Sequence, residues 1–107
     1  MSDREMLEFA AKAAGIDLQE TEDGFEADFD DSRVWNPLAD DGDALRLMVS
    51  IGIRDYFGLE VQKHCVQATC FEPWEHCEYE EYKNQDPLAA TRRAIVRAAA
   101  EIGRQMP

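Results

Sequence analysis

His64, Cys65, Cys70, His76 and Cys77 form the densest group of metal-ligand residue types in the chain, since neutral imidazole and thiolate are the side chains zinc prefers. Their spacing argues against such a centre. No two cysteines stand two apart, and His64 and Cys65, as neighbours on a strand, project to opposite faces. We read the five as core and surface residues, with zinc as the lesser alternative. Three cysteines also exclude a complete disulfide framework, which suits free thiols in a reducing compartment.

Asp40, Asp41 and Asp43, grouped around Gly42, offer carboxylates of the kind that hold calcium or magnesium. The EF-hand spacing with its closing glutamate is absent, and acids at a helix start cap the helix and offset its dipole. Nucleophilic and phosphate chemistry find less support. The six glycines are scattered, no strained serine turn is present, and neither histidine has a serine close by in sequence. Among 23 acids, position alone singles out no pair for acid–base work. No catalytic residue, metal or cofactor is assigned, and the chain is read as a non-enzyme.

Charge is the stronger signal. A net charge of −12 on 107 residues is large, and it is unevenly placed: residues 1–86 hold 22 acids against 7 bases, whereas residues 87–107 hold 4 bases against 1 acid. Such a field repels nucleic acid and anionic membrane and attracts basic proteins over roughly 8 to 10 Å at physiological salt. Arg93, Arg97 and Arg104 form a short basic row in the C-terminal segment, but Glu101 interrupts it. We expect these arginines to pair within the protein rather than with phosphate. The run Glu72, Glu75, Glu78, Glu80 and Glu81 is first a solvated face and only second a recognition surface.

The elements that must carry these residues follow from periodicity. Ser2 and Glu5 form a capping-box pattern, and Met6, Leu7, Ala10 and Ala14 then line a helix over about Asp3 to Ala14 that Gly15 stops. From Asp17 to Asp31 there are eight acids and no base, read as an acidic loop followed by a strand in which Phe25, Ala27 and Phe29 alternate with Glu26 and Asp28. Its outer face would hold Glu26, Asp28 and Asp30 about 7 Å apart. Turns flank Val34 and Trp35, and Trp35 is expected to anchor the core. Asp40 or Asp41 caps a second helix over about Asp41 to Ile51, with Ala44, Leu47, Met48 and Ile51 inward and Gly52 ending it.

After Tyr56 and Phe57, Leu59 and Val61 share one strand phase and Val66, Ala68 and Cys70 the other, so the chain must bulge or turn near Gln62 to His64. A further strand over Trp74 to Glu80 can return antiparallel after a turn at Glu72 and Pro73. With Val66 opposite Tyr79 and Ala68 opposite Cys77, the face of Val66, Ala68, Cys70, Cys77 and Tyr79 turns inward, and Gln67, Thr69, His76, Glu78 and Glu80 turn to water. The last helix starts at Asp86-Pro87 and buries Leu88, Thr91, Ile95, Ala98, Ala99 and Ile102, with Gly103 near its end. The reading is a single α+β domain over residues 1–107, in the order α-β-α-β-β-α, with helices packed on an antiparallel sheet. No apolar run approaches the roughly 20 residues a membrane helix needs.

The segments "VWNPLADDGDALRLMVSIGI" and "DPLAATRRAIVRAAAEIG" resemble a group of small phage and prophage proteins of the NinX and phage alpha-beta-alpha sandwich type. In these an Asn-Pro or Ser-Pro turn precedes the middle helix, and an Asp-Pro or Asn-Pro opens the last. The similarity covers Met1 to Ile16, Val34 to Ile53 and Asp86 to Met106, about half the chain. The family is uncharacterised, so the resemblance implies no catalytic residues. It implies that the segments Asp17 to Asp31 and Leu59 to Tyr82, where such proteins vary, carry partner contacts.

The expectation is therefore an acidic phage or prophage accessory protein of the host cytoplasm that binds a host or phage protein with a basic surface. Its sharp form is an inhibitor of a host defence or nucleic-acid-handling complex, of the anti-CRISPR or anti-restriction type. Glu26, Asp28, Asp30, Glu78 and Glu80 are its candidate contact residues. Direct nucleic-acid and membrane binding are not expected. The alternatives are a self-associating scaffold using Tyr56, Phe57, Phe71 and Trp74, and a zinc-binding protein or enzyme.

Overall fold

Helix α1 (Asp3–Ala14) begins where the sequence supplies a reciprocal cap. The Ser2 hydroxyl accepts from the Glu5 N–H at 3.2 Å, and the Glu5 carboxylate accepts from the Ser2 N–H at 3.3 Å. The hydrogen bonds from the Ser2 backbone and hydroxyl favour the ionised carboxylate and hold Glu5 below the usual glutamate range. Gly15, at a φ of 73°, ends the helix in the left-handed conformation that glycine adopts without penalty. The computed structural model describes residues 2–21, 24–27, 34–53, 57–63, 65–70, 77–82 and 86–106, and for Ala27, Cys70 and 77–82 the backbone alone.

The acidic stretch after α1 is not a loop leading to one strand. Strands β1 (Leu18–Thr21) and β2 (Gly24–Ala27) pair antiparallel, with Leu18 opposite Ala27 and Thr21 opposite Gly24. Leu18 and Phe25 pack on the core, with Glu20 between them in sequence. Val34 then bridges to Glu26 and the Trp35 N–H donates to the Phe25 carbonyl at 2.7 Å, bringing the chain back beside β2. Trp35 is 1% exposed, the anchor its size predicts.

Helix α2 (Asp41–Gly52) is capped by Asp40, whose carboxylate accepts from the Asp43 N–H at 2.8 Å. Ala44, Leu47 and Ile51 are buried, and Met48 packs against them. Gly52 lies inside the helix rather than after it, and Ile53 follows in right-handed geometry. Three strands come next: β3 (Phe57–Val61), β4 (Cys65–Cys70) and β5 (Cys77–Tyr82), antiparallel in that order. The phase change of the sequence is a turn, closed by the Gln62 N–H donating to the Cys65 carbonyl at 2.9 Å. Ala68 stands opposite Tyr79 and Cys70 opposite Cys77, two residues away from the expected register.

Helix α3 (Pro87–Gln105) is capped by Asp86 and lies at the centre of the fold. The expectation of one apolar stripe is corrected. Ala94 and Ala98 meet Val66 and Ala68 of the sheet, while Ile95, Val96, Ala99, Ala100 and Ile102 join the residues of α1 and α2. A helix covered on two sides buries more than a stripe. Leu88, assigned to that stripe, is 60% exposed because it sits in the first turn, ahead of the covering layers. The architecture is α+β, as expected, in the order α-β-β-α-β-β-β-α, with two strands more than expected. Among the described residues no helix is long and apolar enough to cross a membrane.

At Gly103 α3 passes close against the backbone of α1. A Cβ built there would lie 1.9 Å from the Phe9 carbonyl oxygen, a contact only backbone movement can relieve. Gly103→Ala is expected to lower stability by about 1–3 kcal/mol in urea unfolding, the usual cost of overpacking. At the other end of α1, the depressed Glu5 pKa means that its capping contribution is present above the usual glutamate pKa and lost as pH falls through the lowered value. Carboxyl NMR titration should place Glu5 below an ordinary glutamate, and Ser2→Ala should return it towards that value.

Candidate functional site

Three of the five predicted contact residues, Glu26, Glu78 and Glu80, fall on the two sheets. Glu26 is half-buried in β2, opposite Gln19, and its neighbours Asp28 and Asp30 lie outside the described residues. Glu78 and Glu80 belong to β5, their backbones opposite Thr69 and Gln67 at the edge of the larger sheet. Of the alternative contacts, Tyr56, Phe71 and Trp74 lie outside the described residues. Phe57 is half-buried and packs against both core clusters, which removes it as a free contact.

The zinc-ligand types are distributed in the same way. His64 and His76 lie outside the described residues, and Cys70 and Cys77 are backbone partners across the β4–β5 pair. Cys65 is buried, and its thiol donates to Gln62 Oε1 at 3.3 Å. No group of three or more His, Cys, Asp or Glu able to hold a metal ion is found among the described residues.

Asp40, Asp41 and Asp43, weighed above as a cation site, each have structural work instead. Asp43 is 1% exposed. Its Oδ2 accepts from the Asn36 N–H at 3.0 Å and its Oδ1 from Arg46 at 2.8 Å. The loop before α2 is thus fastened to the first turn of the helix by an ionised acceptor, with the cation such a buried charge requires beside it. Asp41 holds Arg92 of α3 at 2.6 Å, and the same guanidinium donates to the Leu38 carbonyl at 2.8 Å.

Among the described residues, five arginines are paired within the molecule. Arg4 pairs with Glu8 and Glu20, Arg46 with Asp40 and Asp43, Arg92 with Asp41, Arg93 with Asp3 and Arg104 with Glu101. Arg93 and Arg104, two members of the basic row, therefore pair inside the protein as expected. Lys12 donates to the Met106 carbonyl at 3.1 Å, tying the end of α1 to the end of α3.

Two surface features were not legible as such. The outer side of α2 carries Leu45, Val49 and Ile53, four residues apart and 56%, 50% and 78% exposed. The other is a groove of about 330 Å³ between α1, the β1–β2 hairpin and the Val34 to Asn36 segment. Leu7, Phe25, Val34 and Trp35 supply its apolar wall, and Arg4, Glu20, Thr21 and Asn36 its polar groups. The Arg4 guanidinium lies 5.8 Å from the centroid of the Phe25 ring, within cation–π range. Hydrogen bonding and charge attraction from Glu20, with Glu8 behind it, raise the Arg4 pKa above its ordinary value. The groove had no signal in the sequence, since the β1–β2 pairing and the placement of α1 are what bring Arg4, Glu20 and Phe25 together.

No family model, curated protein or solved structure matches this chain. Asp43 gives the sharpest local test of how the site region is held. Asp43→Ala leaves the Asn36 N–H and Arg46 without their acceptor, and we expect a loss of about 2–3 kcal/mol in chemical denaturation, against well under 1 kcal/mol for an exposed acid.

Proposed function

We propose that this protein acts by binding another protein, one with a basic surface, through the acid left over once its own cations are satisfied. The observation that carries the reading is the internal pairing of Arg4, Arg46, Arg92, Arg93 and Arg104 in a chain of net charge −12. Carboxylates outnumber cations throughout residues 1–86, so the field outside the molecule is negative and draws in basic partners while repelling nucleic acid. The exposed row Leu45, Val49 and Ile53 favours a macromolecular partner, since apolar side chains grouped on one face offer area that a small ion cannot use. Taken with the resemblance of its helical segments to phage proteins, the fitting role is an accessory protein that occupies the basic surface of a nucleic-acid-handling complex, such as a host defence assembly.

The experiment is an affinity pull-down from host lysate with nuclease present, at low and moderate salt, repeated with Glu26→Lys, Asp28→Lys and Asp30→Lys combined. A stoichiometric complex that weakens as salt rises, and that the triple variant no longer retains although its circular dichroism is unchanged, is the expected result. Binding that ignores both salt and the triple reversal would remove the charged surface from the explanation. A salt-insensitive homo-oligomer by light scattering would favour the scaffold reading instead.

A further inference from the structure

The groove beside α1 holds a cation and has the shape for a side chain, yet the cation in it belongs to the protein. Arg4 lies over the Phe25 ring at 5.8 Å, and its head is paired with Glu20 and, at 3.4 Å, with Glu8. One aromatic face and two carboxylates thus converge on a single guanidinium. None of these groups is locked away from water: the Arg4, Glu8 and Glu20 side chains are 59%, 50% and 56% exposed. Exposed pairs of this kind are weak and screened by salt, so the Arg4 head can leave at little cost. The groove that Arg4 lines offers about 330 Å³, with Leu7, Val34 and Trp35 along the wall. That volume lies at the lower end of the range of ligand pockets and suits one long side chain.

We propose that this groove receives an arginine or lysine side chain of the basic partner, and that Arg4 is its internal surrogate in the free protein. The inference rests on the protein-binding reading above and names a contact within it. An incoming arginine repeats what Arg4 already does: its stem lies on the apolar wall, its head stacks on Phe25 and its N–H groups meet Glu20. An anionic ligand is the poorer fit. Among the described residues Arg4 is the only cation lining the groove, and it is already paired; residues 17–31, which include one side of the groove, hold eight acids and no base. When Arg4 swings out, the Glu20 carboxylate that lines the groove is left for the newcomer. Removing a positive charge from the protein therefore improves a site for positive charge at this one place.

The test is an NMR titration with two probes, acetyl-Gly-Arg-Gly-amide and an eight-residue Arg-Gly peptide, read at the Trp35 indole. Arg4→Gln should bind the single-arginine probe at least fivefold more tightly than the unmodified protein. Arg93→Gln, which makes the same change in net charge from an exposed pair elsewhere, should gain less than twofold. Adding Glu20→Gln to Arg4→Gln should abolish the gain, and adding Phe25→Leu should reduce it, with thermal melts confirming that each variant is folded. Equal gains in Arg4→Gln and Arg93→Gln, or no gain in either, would overturn the groove as a receptor. Salt-sensitive binding of the longer peptide that is indifferent to Arg4 and Glu20 would overturn the groove and leave the acidic surface standing. Failure of both peptides to bind any form of the protein would remove both.

Discussion

The fold depends on how closely α1 and α3 approach. At Gly103 the two backbones pass with no room for a single methyl group, since the Phe9 carbonyl oxygen occupies the place a Cβ would take. Small residues extend the same geometry, with Ala10, Ala11 and Ala13 on one helix and Ala99 and Ala100 on the other, all buried. The ends of the pair are held by polar contacts, Asp3 to Arg93 and Lys12 to the Met106 carbonyl. Once α3 is set against α1 in this way, its other side is presented to the sheet, where Ala94 and Ala98 meet Val66 and Ala68. Alanine on both sides of one helix keeps the layers close, so most of the core's volume has to come from a few large residues. Trp35, Leu47, Ile51 and Ile102 provide it from α2, α3 and the segment beside β2.

The helices were legible because each begins with a local capping signal, even where, as at Asp40 and Asp41, more than one residue could supply it. Ser2 with Glu5, Asp40 before the second helix and Asp86-Pro87 before the third all cap as their types require. The β1–β2 hairpin was less legible because acidity masked it: Asp17 to Asp31 reads as a solvated run, and Leu18 is a single apolar residue among acids. The register of β4 with β5 shows a limit of a different kind. A strand's side chains repeat every two residues, so sliding one strand by two leaves the same residues on the same faces. The apolar pattern is blind to that shift, and only the backbone pairing, with Cys70 opposite Cys77, fixes it.

Side-chain roles were legible in proportion to how local they are. Asp40 as a cap is a three-residue matter, whereas the burial of Asp43 needs Asn36 from the preceding turn and Arg46 from the next turn of the helix. The acid cluster that resembles a cation site in one dimension is, in three, an acceptor set for backbone N–H groups and guanidinium heads. The groove lay further from reach. Arg4, Glu20 and Phe25 are brought together by α1 and the hairpin, and no spacing within either segment announces that they meet.

The acids of the chain divide by what they hold. Asp3, Glu5, Asp40, Asp41, Asp43, Asp86 and Glu101 cap helices or bind arginines, and the fold uses them. The sequence concentrates much of the remainder in 17–31 and 72–81, the segments that form or flank the two hairpins rather than the helices. Within a helix an acid can be returned to the structure through the dipole, the cap or a partner four residues away. On a hairpin surface it has fewer such uses, and a net charge of −12 opposes the compact state through self-repulsion. The alanine-rich contact of α1 with α3 is held along its length by packing and backbone proximity, with the Asp3–Arg93 ion pair only at one end. A scaffold built in this way can carry a surplus of acid on its hairpins without depending on it. The surplus is then free to be selected for what lies outside the molecule, and Glu20, at once the partner of Arg4 and a member of the acidic hairpin, stands where the two uses meet.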